Sequence, residues 1–402
     1  MKYPRLIIAQ DREKPVRQRH PWVFSGAIAR TEGDPQPGDL VDVRAHDGEF
    51  LARGYYNPRS QIQARLLTWR DEPLNDAWWR QQLGRALETR RFMRTNQACA
   101  LRLVNAESDY LPGLIVDQYG SVLVLQALTL YIDQHKQRIA GLLADLLQPR
   151  TIYERSDVDV RAKEGLKRTT GLLWGEEPPE RFTYTEASHV THLWVDVKHG
   201  HKTGAYLDQR DNRYWVQSAV DSLTGEVRLL NLFSYSGGFG VVAAEGENRQ
   251  RLHIVNVDSS NSALALAADN ARLNHVPHHE EIEADALDFL RQEARSSARY
   301  DVVVLDPPKF AHNKEQIDSA ARGYKDLNLN AFRVIREGGY LATFSCSGSI
   351  SRDLFQKIVF GALADSGRQA QIVRHLQAAP DHPIALTFPE GEYLKGLLLR
   401  VW

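Results

Sequence analysis

The 402-residue chain is 43% hydrophobic and 25% charged with a net charge of −1, the profile of a soluble globular protein long enough for two or three domains. No apolar run approaches the roughly 20 residues of a membrane span, and "MKYPRLIIAQDREKP" lacks the long apolar segment of a secretory signal, so no membrane partner is expected. Two cysteines, Cys99 and Cys346, cannot build a disulfide framework and no Cys-x-x-Cys pair offers a metal site; the expectation is a cytoplasmic protein with reduced thiols and no metal.

Residues 1–73 read as a small all-β barrel. Alternating runs such as "DLVDVRA", "FLARGYY" and "IQARLLTW" are divided by "QPGD", "HDGE" and "NPRS", which are turn chemistry. Within residues 1–30, seven Lys/Arg face two acids, and segment 78–94 holds five Arg against one Glu. Such basic stretches suit either a polyanion or a solvated face. Residues 74–189 read as a central α+β region. Trp79, Leu83, Ala86, Leu87 and Arg90 recur at helical spacing, and "GLIVDQYGSVLVLQAL" is two strands joined at Tyr119-Gly120.

From residue 190 to 402 strands alternate with helices, the mark of a doubly wound, mostly parallel sheet. "VRLLNLF", "HIVNVD", "EEIEAD", "YDVVVLD" and "YLATFSC" are the successive strand segments. "QAQIVRHLQ" and "YLKGLLLRVW" follow with no helix between them, which predicts one antiparallel strand. The fold class is therefore α/β.

Ligands of such sheets bind beyond the carboxyl ends of the strands. Here those ends carry "FSYSGGFG" (233–240), Asp258, Asp285, "DPPKF" (306–310) and Cys346. Each has a plainer reading: a tight turn for the glycines, helix caps for Asp258 and Asp285, a core thiol for Cys346. Their occurrence in order at successive strand ends favours a site. A dinucleotide dehydrogenase would share the glycine turn and the acid after the second strand, but "FSYSGGFG" is not G-x-G-x-x-G, and Asp-Pro-Pro is left unexplained. Two prolines make a stiff loop without free N–H groups, able to hold Asp306, Lys309 and Phe310 against a planar base. That pattern is one of an S-adenosylmethionine (SAM) methyltransferase acting on a nucleobase.

"HKTGAYLDQRDNR" (201–213), "NLFSYSGGF" (231–239), "VDSS" (257–260), "DPPKF" and "SCSGS" (345–349) resemble the bacterial 23S ribosomal RNA cytosine-5 methyltransferases, and "HPWVFSGAI" (20–28) resembles the start of their N-terminal PUA domain. The resemblance implies a Rossmann-like class I methyltransferase sheet with SAM as cofactor and 23S RNA, free or in a large subunit, as partner. It assigns Gln209, Arg210, Phe233, Ser234, Tyr235, Gly237, Asp258, Ser259, Asp285 and Asp306 to the cofactor. Asp258 takes the ribose hydroxyls and Asp285 the adenine amine. Arg17, His20, Trp22, Phe24 and Phe310 are expected to bind RNA. Cys346 is the expected nucleophile, with Asp306 holding the cytosine edge and Lys309 a candidate base for the C5 proton. Many cytosine-5 RNA enzymes carry a second cysteine in the Asp-Pro loop, and here that loop reads "DPPKF". Two rivals stay open: methylation of another RNA base with Cys346 structural, and a non-catalytic SAM-binding RNA-binding protein. The oligomeric state is open as well, a homodimer included.

Overall fold

A computed structural model describes residues 3–93, 100–186, 191–311 and 313–402; Arg94 and Cys99 lie outside the described residues. The chain forms two compact units, one of residues 1–184, 195–207 and 380–391, the other of 185–194, 208–379 and 392–402. The regions 1–73 and 74–184 thus cluster together, and two short pieces of the later chain join them.

The first unit contains two sheets. Strands β1 (Arg5–Ile8), β2 (Trp22–Phe24), β3 (Ile28–Glu32), β4 (Leu40–Arg44), β5 (Phe50–Tyr56) and β6 (Ile62–Thr68) pair in the order β2-β6-β5-β4-β1-β3, with helix α1 (Lys14–Arg17) between the first two. Their alternation buries Leu6, Ile8, Val41, Val43 and Leu66 in one core. After α2 (Asp76–Thr89) come β7 (Ala100–Asn105), β8 (Leu114–Tyr119), β9 (Val122–Ala127), α3 (Leu130–Leu147), β10 (Thr151–Ser156) and β11 (Thr169–Gly175), whose sheet order is β11-β10-β9-β8-β7. Gly120, at φ +60°, closes the β8–β9 hairpin, as the sequence predicts. Trp79 and Leu83 of α2 and Tyr131 of α3 fill the core of this sheet, and Tyr131 stacks on Tyr55 of β5 at 4.9 Å.

Strands β12 (Phe182–Thr185) and β13 (His192–Val195) follow. The second unit then runs α4 (Arg210–Asp221), β14 (Val227–Leu232), α5 (Gly238–Ala243), α6 (Asn248–Arg251), β15 (Leu252–Asp258), α7 (Asn261–Leu273), β16 (His279–Glu283), α8 (Ala286–Arg295), β17 (Tyr300–Leu305), α9 (Ile317–Val334), β18 (Ile335–Ser345), α10 (Arg352–Ser366), β19 (Ala370–Gln377) and β20 (Lys395–Val401). The sheet order is β16-β15-β14-β17-β18-β20-β19, parallel except that β20 lies antiparallel between β18 and β19. This is the α/β class expected, with the antiparallel strand where the missing helix predicts it. Strand order reverses beside β14, so the ends of β14, β15 and β17 flank the crevice where such sheets take ligands. The buried strand "YDVVVL" explains β17: Val302, Val303, Val304 and Leu305 are each 0% exposed.

Candidate active site

β14 ends in a turn that the chain adopts at a conformational cost. Phe233 (φ +59°) and Tyr235 (φ +43°) both occupy the left-handed region, which costs about 1–2 kcal/mol per non-glycine residue. Backbone bonds hold the turn: the Ser234 N–H donates to the Val257 carbonyl at 3.1 Å, and Gly237 N–H to the Ser234 carbonyl at 2.9 Å. Gly237 is required by its φ of +70° and by closeness, since a Cβ there would lie 3.0 Å from that of Ala267. Strain concentrated in a strand-end turn and offset by its surroundings is a mark of a binding site.

Asp258, at the end of β15, braces this turn. One carboxylate oxygen accepts the Tyr235 N–H at 2.9 Å and the other accepts the Ser260 N–H at 3.0 Å. Each oxygen retains a further lone pair for a ligand hydroxyl. Ser259 is exposed beside it. Asp285 after β16 is exposed and caps α8, with Oδ1 accepting from the N–H groups of Leu287 (2.9 Å) and Asp288 (3.0 Å). The cap reading is realised at Oδ1; Oδ2 has no partner among the described residues.

The structure brings α4 to the same turn. Gln209 and Arg210 at its start are both buried, the first accepting from Asn212 at 2.6 Å. Gly238 leaves room for Arg213, whose Cδ lies 3.3 Å from where a Cβ would stand. Arg213 also pairs with buried Glu186 at 2.5 Å. Arg213 closes the stretch 201–213 but has no role assigned from sequence; its place in that stretch and on the inner face of an amphipathic helix are the signals it offers.

The loops after β17 and β18 are one assembly. Cys346 is half-buried, its thiol directed at the Pro307 carbonyl 3.8 Å away. Ser347 Oγ accepts the Ala311 N–H at 3.3 Å and lies 3.2 Å from the Tyr324 hydroxyl, which takes a hydrogen bond from Ser345 Oγ at 3.0 Å. Burial holds the Tyr324 phenol above its ordinary pKa, so it stays a neutral donor. Asp306 is half-buried and Lys309 exposed. Phe310 is half-buried, one side of its ring packed on Tyr324 at 4.8 Å. From β20, Lys395 is 2% exposed and its Nζ donates to the Ser347 and Ile350 carbonyls at 2.8 and 2.7 Å. Ser347 lies in the quoted "SCSGS" stretch, but its ties to Tyr324 and Lys395 are not readable in sequence, because those two come from segments 23 and 48 positions away.

The expected RNA residues lie in the first unit, apart from Phe310. Arg17 is engaged by Glu13 (2.9 Å) and Glu49 (2.6 Å), so its charge is largely offset. Trp22 packs on Phe388 at 4.8 Å and donates its indole N–H to Glu107 at 2.9 Å; His20 contacts Trp22 and Glu390. Phe24 is 49% exposed, its ring edge-on to Trp22. In the second basic stretch, Arg90 is fully buried with both terminal nitrogens on Asp109, which removes it from any basic surface.

Whether the crevice suits SAM is tested by its unspent polar groups. Ser234 Oγ is buried with no hydrogen-bond partner among the described residues, at the glycine turn whose Tyr235 N–H is held by Asp258. A polar ligand with hydroxyl and amine groups satisfies these, so the residues fit.

Comparison with known proteins agrees. Residues 6–69 match the PUA-like domain family, and residues 169–385 match the family described as S-adenosylmethionine-dependent methyltransferase. Ribosomal RNA large subunit methyltransferase I of Tolumonas auensis is 45% identical over 399 residues, covering 98% of each chain. That of Klebsiella pneumoniae strain 342 is 43% identical over 99% of this chain and 98% of its own. The fold is shared with the crystal structure of SMU.776 complexed with SAH, at a TM-score of 0.83 and 21% identity over 100% of both chains. With one family spanning more than half of the chain and relatives matching nearly all of it, the chain belongs to the ribosomal RNA large subunit methyltransferase I family, SAM-dependent methyltransferases with a PUA-like domain.

Proposed function

We propose that this protein methylates C5 of a cytosine in 23S ribosomal RNA, with Cys346 as the covalent nucleophile. The substrate class rests on the large-subunit RNA named for its relatives. The observation that carries the chemistry is the thiol of Cys346 beside the Asp306–Ala311 loop, tied to it through Ser347.

Bound SAM supplies an electrophilic methyl group on a sulfonium. Phe233, Ser234, Tyr235 and Gly237 with Asp258, Ser259, Asp285, Asp306, Gln209 and Arg210 hold it, Asp258 at the ribose and Asp285 through Oδ2 at the adenine amine. Cys346 solves the other half of the problem, because C5 of cytosine is a poor nucleophile. As thiolate, its sulfur forms a bond to C6 and moves the C5=C6 pair onto C5. Asp306 grips the N3–N4 edge and favours the charge that develops in the ring. After methylation, Lys309, once it has given up its own proton to solvent, takes the C5 proton; that electron pair restores C5=C6 and expels the thiolate. The base must leave its stack to reach a strand-end thiol, which costs a few kcal/mol and favours a loop or weakly paired site. Phe24, with His20, Trp22 and Arg17, contributes to binding RNA, and the free edge of Phe310 flanks the base.

Mass spectrometry of 23S RNA from cells with and without the gene tests this reading. Loss of one 5-methylcytidine is expected. Loss of a different methylated nucleoside, with 5-methylcytidine unchanged, would replace it with the rival in which Cys346 is structural.

A further inference from the structure

A lysine buried to 2% exposure is expensive, and the reaction as derived above gives Lys395 no part. It stands on β20 opposite Ser345, the residue before Cys346, and two of its three donors are spent on carbonyls of the turn that follows the cysteine. Four groups act on its charge from the surrounding segments. Cys346 and Glu392 favour the charged form, while Arg352 and Lys309 oppose it. Arg352 and Glu392 pair with each other at 2.6 Å, so their effects largely cancel. That leaves Lys309, exposed at the surface, and the Cys346 thiol as the groups whose effect on the buried ammonium is not cancelled.

We propose that Lys395 is a positioning residue for Cys346: its ammonium group pins the Ser347–Ile350 turn and supplies the fixed positive charge that favours the thiolate. A neutral amide at this place could bind both carbonyls but would bring no charge to the thiolate, and a surface lysine would be screened by water. Burial, the largest influence, pushes the Lys395 pKa down to about 8. The charge is therefore present at neutral pH and is lost as pH rises through that value.

The proposal rests on the nucleophile reading only for its catalytic consequence, because the test reads the thiol itself. In full-length protein with Cys99→Ala, the rate of alkylation by iodoacetamide is followed against pH. Lys395→Met should move the midpoint up by about one pH unit, a tenfold loss of thiolate at neutral pH, and Lys395→Arg should hold it near the wild-type value. An unmoved midpoint in Lys395→Met overturns the proposal. Should that variant not fold, the wild-type curve decides, since a midpoint at or above the roughly 8.5 of a free cysteine contradicts the role and a lower one supports it. Retained methylation by Cys346→Ala would instead overturn the nucleophile and leave the effect of Lys395 on the thiol standing.

Discussion

Ser347 accepts the buried Ala311 N–H at 3.3 Å, so the loop that follows Cys346 and the loop that starts at Asp306 cannot move independently. Ser347→Ala leaves that N–H without a partner in a buried place, at a cost of about 1–3 kcal/mol. We expect a lower melting temperature and a clear fall in kcat, with SAM affinity by calorimetry unchanged. A variant with full kcat would separate loop geometry from catalysis.

Asp258 has two tasks, bracing Tyr235 and Ser260 and, as proposed, holding the ribose hydroxyls. Asp258→Ala should weaken SAM binding at least tenfold, since hydrogen bonds to a charged group contribute about 1.5–3 kcal/mol. Wild-type affinity in calorimetry would remove Asp258 from the cofactor site.

For Asp285 the cap and the adenine contact can be told apart. Asp285→Ala loses the cap of α8, a cost of about 1 kcal/mol in stability. Asp285→Ser restores a capping oxygen but supplies no second carboxylate oxygen. Stability should return in the serine variant while SAM affinity stays low. Recovery of both would make Asp285 a cap alone.

Phe24 and Trp22 should part company. Phe24 is 49% exposed, so Phe24→Ala should leave the melting temperature unchanged and weaken RNA binding by about 1–3 kcal/mol if it stacks on a base. Trp22→Ala deletes a ring packed on Phe388 and an indole bond to Glu107, and should lower the melting temperature. Filter binding and a thermal melt distinguish the two; equal RNA affinity in wild type and Phe24→Ala would exclude that ring from the interface.

The strand ends were legible because apolar runs such as "YDVVVL" and "YLATFS" stop at polar residues, and that change is local. So was the antiparallel β20, from the absence of a helix after β19. What sequence hides is non-local pairing. Arg17 and Arg90 count as charge in a composition, yet Glu49 and Asp109 sit 32 and 19 positions away and offset them. Lys395 offered a faint signal, a lysine opening the apolar run "GLLLRV", but its partners Ser347 and Ile350 are 48 and 45 positions distant. Asp285 is the reverse case: the cap was readable locally, and the structure realises it.

The bond that Cys346 is proposed to form with C6 of the target cytosine can be trapped. RNA carrying 5-fluorocytosine at the target has no C5 proton to lose, so the adduct should persist after methyl transfer. We expect a band shifted in denaturing electrophoresis, formed only with SAM present, retained in Cys99→Ala and absent in Cys346→Ala, which still binds SAM. Normal turnover by Cys346→Ala, with no trapped band in the wild type, would contradict the account.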